Sequence, residues 1–275
     1  MLFTLSDAQS LVHPRDPESH KGTYGHGLLI AGSKGMAGAA VMAAKAALRS
    51  GIGLLTVCTP ECNRIILQTA VPEAMVIPCG TDIIDRLPAD LSRYSAIAIG
   101  PGLTANDTTR QVQQALMETA GVPLILDADA LNNLSASPAL FSLLTDKDIL
   151  TPHPGEYKRL EEAYPHPLPK GKGVLILKGH RTHVYSPSGE LSVNSTGNAG
   201  MATGGSGDVL TGILLGLLAQ RYTIWDAARL GVFAHGLAGD LAASALTEIA
   251  MTATDIIRFL PQAWRQLEAT TNNAR

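Results

Sequence analysis

Residues 28–58 read LLIAGSKGMAGAAVMAAKAALRSGIGLLTVC, and this stretch decides the fold class. Residues 28–32 and 54–58 are apolar at nearly every position, which is typical of strands that are buried on both faces. Between them, residues 39–50 are rich in alanine and stop before Gly51, so a helix is predicted there. A strand, a helix and a second strand in this order favour a parallel sheet with helices packed on it.

The same alternation continues along the chain and predicts an α/β fold. Residues 182–185 and 190–193 flank a Ser-Pro-Ser-Gly turn and predict a hairpin. Further buried strands are predicted at residues 96–100, 124–127, 148–151 and 174–178. Further helices are predicted at residues 107–119, 155–163, 208–219, 225–245 and 253–268. A single domain over residues 1–275, with a parallel sheet covered on both faces, is the simplest account of this pattern.

The composition excludes several classes of protein. With 45% hydrophobic and 16% charged residues, the chain has the make-up of a folded protein and not of a disordered one. Aromatic residues are only 4%, so the core must consist of Ala, Leu, Ile and Val, which favours helices packed closely on a sheet. The net charge of −3 argues against a nucleic-acid binder, which needs a basic face.

Cysteine usage and apolar runs indicate the compartment. The three cysteines do not form a disulfide framework, and no Cys/His cluster has the spacing of a zinc site. The first residues lack the basic segment and long apolar run of a signal peptide. The longest apolar stretch, residues 209–219, contains glycine and is too short to span a bilayer. A cytoplasmic protein without membrane or nucleic-acid partners is predicted.

Glycine, proline and polar residues interrupt the pattern where the predicted strands end. In an open parallel sheet, ligands bind beyond the carboxyl ends of the strands, so these residues predict one binding rim. The five strand-end segments are residues 32–35, 100–102, 127–130, 151–156 and 178–179.

A glycine-rich loop, residues 197–208 (GNAGMATGGSGD), runs directly into the apolar helix predicted at residues 208–219. Its glycines let the backbone approach a ligand closely, and the helix start attracts negative charge. Asp208 would repel a phosphate bound there, so we interpret it as a base for a hydroxyl that receives a phosphoryl group. The alternative is an ordinary glycine loop with an aspartate N-cap.

These motifs resemble those of the ADP/ATP-dependent (S)-NAD(P)H-hydrate dehydratase family of the ribokinase-like superfamily. Residues 198–210 are similar to its signature, and the match extends from about Lys21 to Leu267. Its other signatures occur in the expected order at residues 21–22, 32–33, 37–40, 100–103, 126–132 and 150–156. The resemblance implies a three-layer αβα sandwich with a mostly parallel central sheet. It also implies a stand-alone dehydratase without the epimerase domain that some relatives carry.

The resemblance implies a metabolite-repair reaction on hydrated NADH or NADPH, in which water has added across a nicotinamide double bond. ADP, or ATP in other members, phosphorylates the 6-hydroxyl of the S epimer, and loss of phosphate restores NAD(P)H. Phosphate leaves far more easily than hydroxide, and the ring nitrogen assists its departure. The expected protein is a carbon–oxygen lyase that uses Mg²⁺ and forms a homo-oligomer, a tetramer by family analogy.

Site roles are also implied residue by residue. The base is Asp208, which also contacts the substrate, and the backbone at Gly205, Ser206 and Gly207 stabilises the transferring phosphoryl group. Glu156 is expected to act on Mg²⁺ indirectly, through its hydration shell. The expected nucleotide-binding residues are Lys178, Gly179, His180, Arg181, Thr182, Gly207, Asn198 and Thr203. The expected contacts to the hydrate, besides Asp208, are Ala39, Gly102 and His153.

Several of these positions have structural alternatives. Residues 38–40 fit close helix packing as well as ligand contact, His153 fits a backbone hydrogen bond, and Lys178 fits a solvated edge charge. Bracing or packing is the favoured interpretation for Asp129, His235, Asp240, Gly212 and Gly216, and is an open alternative for Asp127.

One segment departs from the family pattern, and two rival functions stay open. Residues 164–170 replace a longer family segment with alternating prolines, which predicts an extended connection. The rivals are a small-molecule kinase on the same fold and a nucleotide-sensing protein without catalysis.

Overall fold

The computed structural model describes residues 1–164 and 171–268. Its strands confirm every strand that the sequence predicts and add two short ones, β1 and β4. They are β1 Leu2–Phe3, β2 His26–Ile30, β3 Leu54–Thr59, β4 Met75–Pro78, β5 Ala96–Ile99, β6 Leu124–Leu126, β7 Ile149–Leu150, β8 Val174–Leu177, β9 His183–Tyr185 and β10 Leu191–Asn194.

The helices that the sequence predicts are also present, with ends that differ by at most two residues, and four short helices are added. The helices are α1 Leu5–Leu11, α2 Ala37–Arg49, α3 Arg64–Ala70, α4 Asp107–Thr119, α5 Asp129–Ser135, α6 Pro138–Ser142, α7 Pro154–Ala163, α8 Ser206–Ala219, α9 Ile224–Leu246 and α10 Ala253–Glu268. The extended connection expected over residues 164–170 lies outside the described residues, except for Tyr164, whose backbone is extended.

The ten strands form one sheet in the order β1-β10-β9-β8-β7-β6-β5-β2-β3-β4. Strand β9 pairs antiparallel with β8 and β10, which is the predicted hairpin region, and the other neighbouring pairs are parallel. The mostly parallel central sheet is therefore confirmed. None of the described helices combines the length and apolar character needed to cross a bilayer.

Successive strand residues face opposite helical layers, as the period of two requires. In β2, Leu28 and Ile30 pack into the core under α4 to α7, while Leu29 belongs to the core under α2, α8, α9 and α10. In β5, the face that packs against α2, α8, α9 and α10 carries only Ala96 and Ala98, whose small side chains leave room for α8. Helices on both faces of the sheet confirm the three-layer α/β sandwich.

Helix α8 packs closely against α2, and the glycines on it make this possible. A Cβ at Gly212 would lie 2.1 Å from the Ala43 carbonyl oxygen, and one at Gly216 would lie 2.8 Å from Ser50 Cβ. The structure thus places both glycines in close helix packing. Of the fourteen residues of α8, only Gly207 and Asp208 are not buried. The first turn of this helix is the part left available for chemistry.

Candidate active site

Three strand ends and α8 meet at one buried carboxylate. Asp127 follows β6 and is 1% exposed. Its Oδ1 accepts hydrogen bonds from Lys178 Nζ and Thr151 Oγ1, each at 2.7 Å, and its Oδ2 accepts one from Thr211 Oγ1 at 2.7 Å. Lys178 follows β8 and Thr151 follows β7, so the carboxyl ends of neighbouring strands converge as predicted.

This cluster contains a strong ion pair between Asp127 and Lys178. Burial alone would raise the pKa of Asp127, but the Lys178 ammonium and the hydrogen bonds outweigh it and lower the pKa. Burial would likewise lower the pKa of Lys178, but the charge of Asp127 outweighs that effect and raises it. Both groups are therefore ionised around neutral pH. The interpretation of Lys178 as a solvated edge charge does not hold, because its side chain is only 20% exposed.

The N-terminus of α8 lies directly over this ion pair. Gly205 precedes the helix with φ +92°, a left-handed conformation that side chains disfavour, and a Cβ there would meet the side chain of Met42. A Cβ at Gly207 would lie 3.3 Å from Lys178 Nζ. The backbone of residues 205–207 and the Lys178 ammonium therefore present N–H groups and positive charge to the same place, which suits a phosphoryl group.

Asp208 stands on the first turn of α8, partly exposed and close to three other charges. Burial raises its pKa to about 7; Asp127 adds to the rise by repulsion, Lys178 opposes it, and Asp129 adds a further small rise. A carboxyl group with this pKa exchanges protons readily near neutrality, as a general base must. The Asp208 carboxyl group is neither turned fully to solvent nor fully buried, and its role as the base stays a prediction.

The loop before α8 is held from α9. Asp240 accepts hydrogen bonds from the Gly197 N–H and from Asn198 Nδ2, each at 2.9 Å, so it braces the loop and not only its helix. Asn198 in turn accepts from the Gly200 N–H at 3.0 Å. His235 lies 3.3 Å from Ser206 Oγ, and burial lowers its pKa to about 4, so it is neutral near pH 7.

A cavity of about 540 Å³ opens beside this loop, between β8, β10, α8 and α9. It brings together most of the residues expected to bind the nucleotide: Lys178, Gly179, His180, Arg181, Thr182, Asn198 and Gly207. Ser206 also lines it, whereas Thr203, Gly205 and Asp208 do not. The Thr203 carbonyl accepts a hydrogen bond from the Ser206 N–H, so this residue shapes the turn into α8.

The residues expected to contact the hydrate lie on the other side of the rim. Gly102 follows β5 with φ +60°, and a Cβ there would lie 3.1 Å from Ala39 Cβ and 2.9 Å from Met36 Cβ. These positions therefore meet, at the first turn of α2. Asp129 accepts a hydrogen bond from the Thr104 N–H at 2.8 Å, which places it in the bracing role that the sequence favoured.

His153 and Glu156 form the N-terminal cap of α7. The His153 N–H donates to Glu156 Oε2 at 2.8 Å, His153 Nδ1 accepts from the Gly155 N–H at 3.0 Å, and His153 Nε2 lies 3.3 Å from Glu156 Oε1. The His153 side chain is still 51% exposed, so capping leaves a face open to a ligand. The Glu156 carboxyl group, by contrast, is buried and contacts His153 through both oxygens, which leaves it only water-mediated contact with a metal ion.

A protein cage for a divalent cation is not present in the described part of the chain, where no three His, Cys, Asp or Glu side chains cluster suitably. This donor set fits Mg²⁺ only as an ion carried mainly by nucleotide phosphates and water, which is how Mg²⁺ usually binds. Glu156, through water, is the residue at the rim expected to help hold it.

Sequence reasoning missed the bonding role of Thr151 and Thr211. Thr211 follows Asp208 by three residues and so lies on the same side of α8, which is a signal for its place at the rim but not for its hydrogen bond to Asp127. It also missed the inner wall of the cavity, formed by Asn194, Thr196, Met201, Val232 and Gly236. No local pattern marks these residues as ligand contacts.

Comparison with known proteins identifies the family. Residues 27–262 match the family model described as NAD(P)H-hydrate dehydratase. The chain belongs to the NAD(P)H-hydrate dehydratase family. It is 35% identical to the ADP-dependent (S)-NAD(P)H-hydrate dehydratase of Bacillus subtilis, covering 97% of this chain and 98% of that protein.

Two further relatives extend the comparison. The chain is 39% identical to the bifunctional NAD(P)H-hydrate repair enzyme Nnr of Moorella thermoacetica over 97% of its own length, but it spans only 54% of that relative. A solved structure of the ADP/ATP-dependent NAD(P)H-hydrate dehydratase of B. subtilis, co-crystallized with ATP/Mg²⁺, superposes with a TM-score of 0.82 at 33% identity, covering 97% of this chain and 98% of that one.

Proposed function

We propose that this member of the NAD(P)H-hydrate dehydratase family uses ADP or ATP to dehydrate the S epimer of hydrated NADH or NADPH. The observation that carries the proposal is the position of Asp208. Its carboxyl group has a pKa of about 7 and stands on the first turn of α8, next to the Lys178 ammonium. The names of the B. subtilis relatives support the same activity and both phosphoryl donors.

In the first step, the nucleotide occupies the 540 Å³ cavity, with its terminal phosphate towards residues 205–207 and Lys178. Asp208 accepts the proton of the 6-hydroxyl, and the oxygen attacks the terminal phosphorus. The bond from that phosphorus to the bridging oxygen breaks, and the shortened nucleotide leaves. The backbone N–H groups at the start of α8 and the Lys178 ammonium stabilise the charge on the phosphoryl group in transit.

In the second step, the lone pair of the ring nitrogen expels phosphate from carbon 6, and the departing phosphate accepts the proton that the neighbouring carbon loses. The ring double bond is restored without any redox change. Mg²⁺ would neutralise charge on the nucleotide phosphates, with Glu156 acting through water. A cytoplasmic homo-oligomer, a tetramer by family analogy, completes the proposal.

The test is to incubate the purified protein with hydrated NADH or NADPH, Mg²⁺, and ADP or ATP. Dehydration regenerates the near-ultraviolet absorbance of the dihydronicotinamide and releases one phosphate for each ring restored. A kinase that stops after phosphoryl transfer would release the shortened nucleotide without restoring absorbance. Failure of all four substrate and donor combinations to restore absorbance would overturn the proposal. The R epimer is the matched control and should remain unchanged.

A further inference from the structure

Asp127 takes no part in the reaction proposed above, yet contacts from three other elements of the fold hold it in place. It is 1% exposed and receives three hydrogen bonds, from the residues that follow β7 and β8 and from one residue of α8. Its backbone lies so close to β5 that a Cβ at Gly100 would be 1.8 Å from the Asp127 carbonyl oxygen. A buried charge with this many partners has a fixed location and a fixed ionisation state.

The turn that carries Asp127 is strained. Ala128 has φ 47° and ψ −116°, a conformation that glycine adopts readily and alanine does not. Such strain persists only where surrounding contacts enforce it, and it is concentrated at functional sites. Here it aims Asp127 at Lys178, while the next residue, Asp129, holds the Thr104 N–H.

The consequence of this arrangement is seen at Lys178. Its ammonium is 2.7 Å from Asp127, whereas in the described part of the chain no side chain donates a hydrogen bond to Asp208. Lys178 nevertheless lies close enough to Asp208 for the two charges to attract each other. The Lys178 ammonium therefore lies near both Asp127 and Asp208 but forms a hydrogen bond only with Asp127.

We propose that Asp127 is a positioning residue for phosphoryl transfer: it fixes the Lys178 ammonium beneath Gly207 and keeps it from pairing with Asp208, which can then accept the substrate proton. The inference rests on the proposed function, and it assigns a role to a residue that does not touch the reactants. Among the residues that the structure describes, three charged groups act on Asp208: Asp127 from the end of β6, Lys178 from the end of β8, and Asp129 from α5. Glu156 on α7 faces Lys178, and His235 on α9 is neutral.

The test is Asp127→Asn, which keeps the shape and removes the charge. Lys178 then pairs with Asp208, whose pKa falls because a like charge is lost and an opposite one comes into contact. The acidic limb of the pH profile of kcat/KM should move down by about 1–2 pH units. The value of kcat should fall by about 10–100-fold, because the ammonium has left the phosphoryl path. If Asp127 had a purely structural role, Asp127→Asn would lower stability and leave the acidic limb of the pH profile where it is in the wild type.

Two further variants make the result specific. Thr211→Val removes one hydrogen bond to Asp127 but keeps its charge, so the acidic limb should not move. The double variant Asp127→Asn with Lys178→Gln removes both charges, so the limb should return towards the wild-type position while kcat stays low. If Asp127→Asn does not fold, Asp127→Ser carries the same expectation. An acidic limb that stays in place on loss of the Asp127 charge overturns the proposal.

A second readout separates this inference from the proposed function. The carboxyl carbon of Asp208 can be titrated by ¹³C NMR in the intact protein without any substrate. A lower pKa of Asp208 in Asp127→Asn supports the positioning role even if no dehydration is seen, in which case only the proposed function fails. An unchanged pKa in a protein that does dehydrate the hydrate overturns the positioning role alone.

Discussion

The two halves of the rim are built in different ways. The half proposed to bind the nucleotide, residues 178–182, 197–198 and 206–207, surrounds a cavity of about 540 Å³ that is also lined by residues of β10, α8 and α9. The half proposed to bind the hydrate contains Ala39, Gly102 and His153, and its first two residues pack closely, since a Cβ at Gly102 would lie 2.9 Å from Met36 Cβ and 3.1 Å from Ala39 Cβ. The first half is therefore a preformed cavity. In the second half, a methyl group added at Gly102 would press on Met36 and Ala39.

Asp208 connects the two halves electrostatically. Lys178 belongs to the half proposed to bind the nucleotide, while Asp129 holds the Thr104 N–H two residues beyond Gly102, and both influence the pKa of Asp208. A base between donor and acceptor should matter for turnover and not for nucleotide affinity. Substitutions at Asp208, Gly102 and Ala128 test this separation.

Asp208→Asn should greatly lower turnover while nucleotide binding persists. The loss of a general base costs about 10²–10⁴-fold in kcat/KM, whereas Asp208 does not line the nucleotide cavity. Initial rates of dihydronicotinamide recovery and calorimetric titration with ADP or ATP would check both statements. The matched control is Asp146→Asn, an exposed carboxylate before β7, at the opposite edge of the sheet. Turnover retained in Asp208→Asn would contradict the assigned role of base.

The same substitution should stabilise the protein in a pH-dependent way. Since the pKa of Asp208 is about 7 in the folded state and about 3.8 in the unfolded chain, the folded state binds this proton more tightly. Wild-type stability therefore rises as the pH falls from about 7 to about 4. Asp208→Asn should gain roughly 2–4 kcal/mol at pH 8 and nothing below pH 4, by urea denaturation. A gain that is independent of pH would contradict the raised pKa.

Much of this architecture could be predicted because its signals are local. Continuous apolar strands, an alanine-rich α2 and an apolar α8 with Asp208 on its first turn are each visible within a dozen residues. The short edge strands β1 and β4 carried no such signal. Strand β1 has only two residues, and β4 has four residues and ends in a proline, so neither forms a recognisable period. The helix start at Pro154 was displaced by only one residue, since proline at the first position is tolerated.

The electrostatic centre could not be predicted, because its contacts join distant parts of the chain. Thr151, Lys178 and Thr211 lie 24, 51 and 84 residues from Asp127, and no spacing rule relates them. The strained backbone of Ala128 was equally invisible, since alanine is not a residue that marks a positive φ. The sequence predicted the rim, but only the packed structure shows that the Lys178 ammonium is hydrogen-bonded to Asp127 and not to Asp208.

Gly102→Ala should weaken binding of the hydrate and leave nucleotide affinity alone. The added methyl group would press on Met36 and Ala39 at 2.9 to 3.1 Å, so the first turn of α2 must shift in the half proposed to bind the hydrate. We expect KM for the hydrate to rise by about tenfold, which corresponds to about 1.4 kcal/mol.

Gly121→Ala is the matched control for this substitution. Gly121 has φ +64°, almost the same as Gly102, but nothing lies within 4 Å of a Cβ placed there. It therefore carries the same backbone strain without the clash, and its KM should not change. A rise in KM that is equal in both variants, or an effect of Gly102→Ala on nucleotide affinity instead, would show that the two halves are not separable in this way.

Ala128→Gly should give the smallest effect and tests the turn that joins the two halves, between Asp127 on one side and Asp129 on the other. Glycine adopts the observed φ of 47° without strain, and the relief exceeds the entropy that glycine loses on folding. We expect a gain of about 1 kcal/mol in the free energy of unfolding. Ala115→Gly in α4, an exposed helical position with ordinary φ, should instead lose about 1 kcal/mol. Equal losses in the two variants would mean that the turn at Ala128 stores no strain, and the enforced aim of Asp127 would lose one of its two supports.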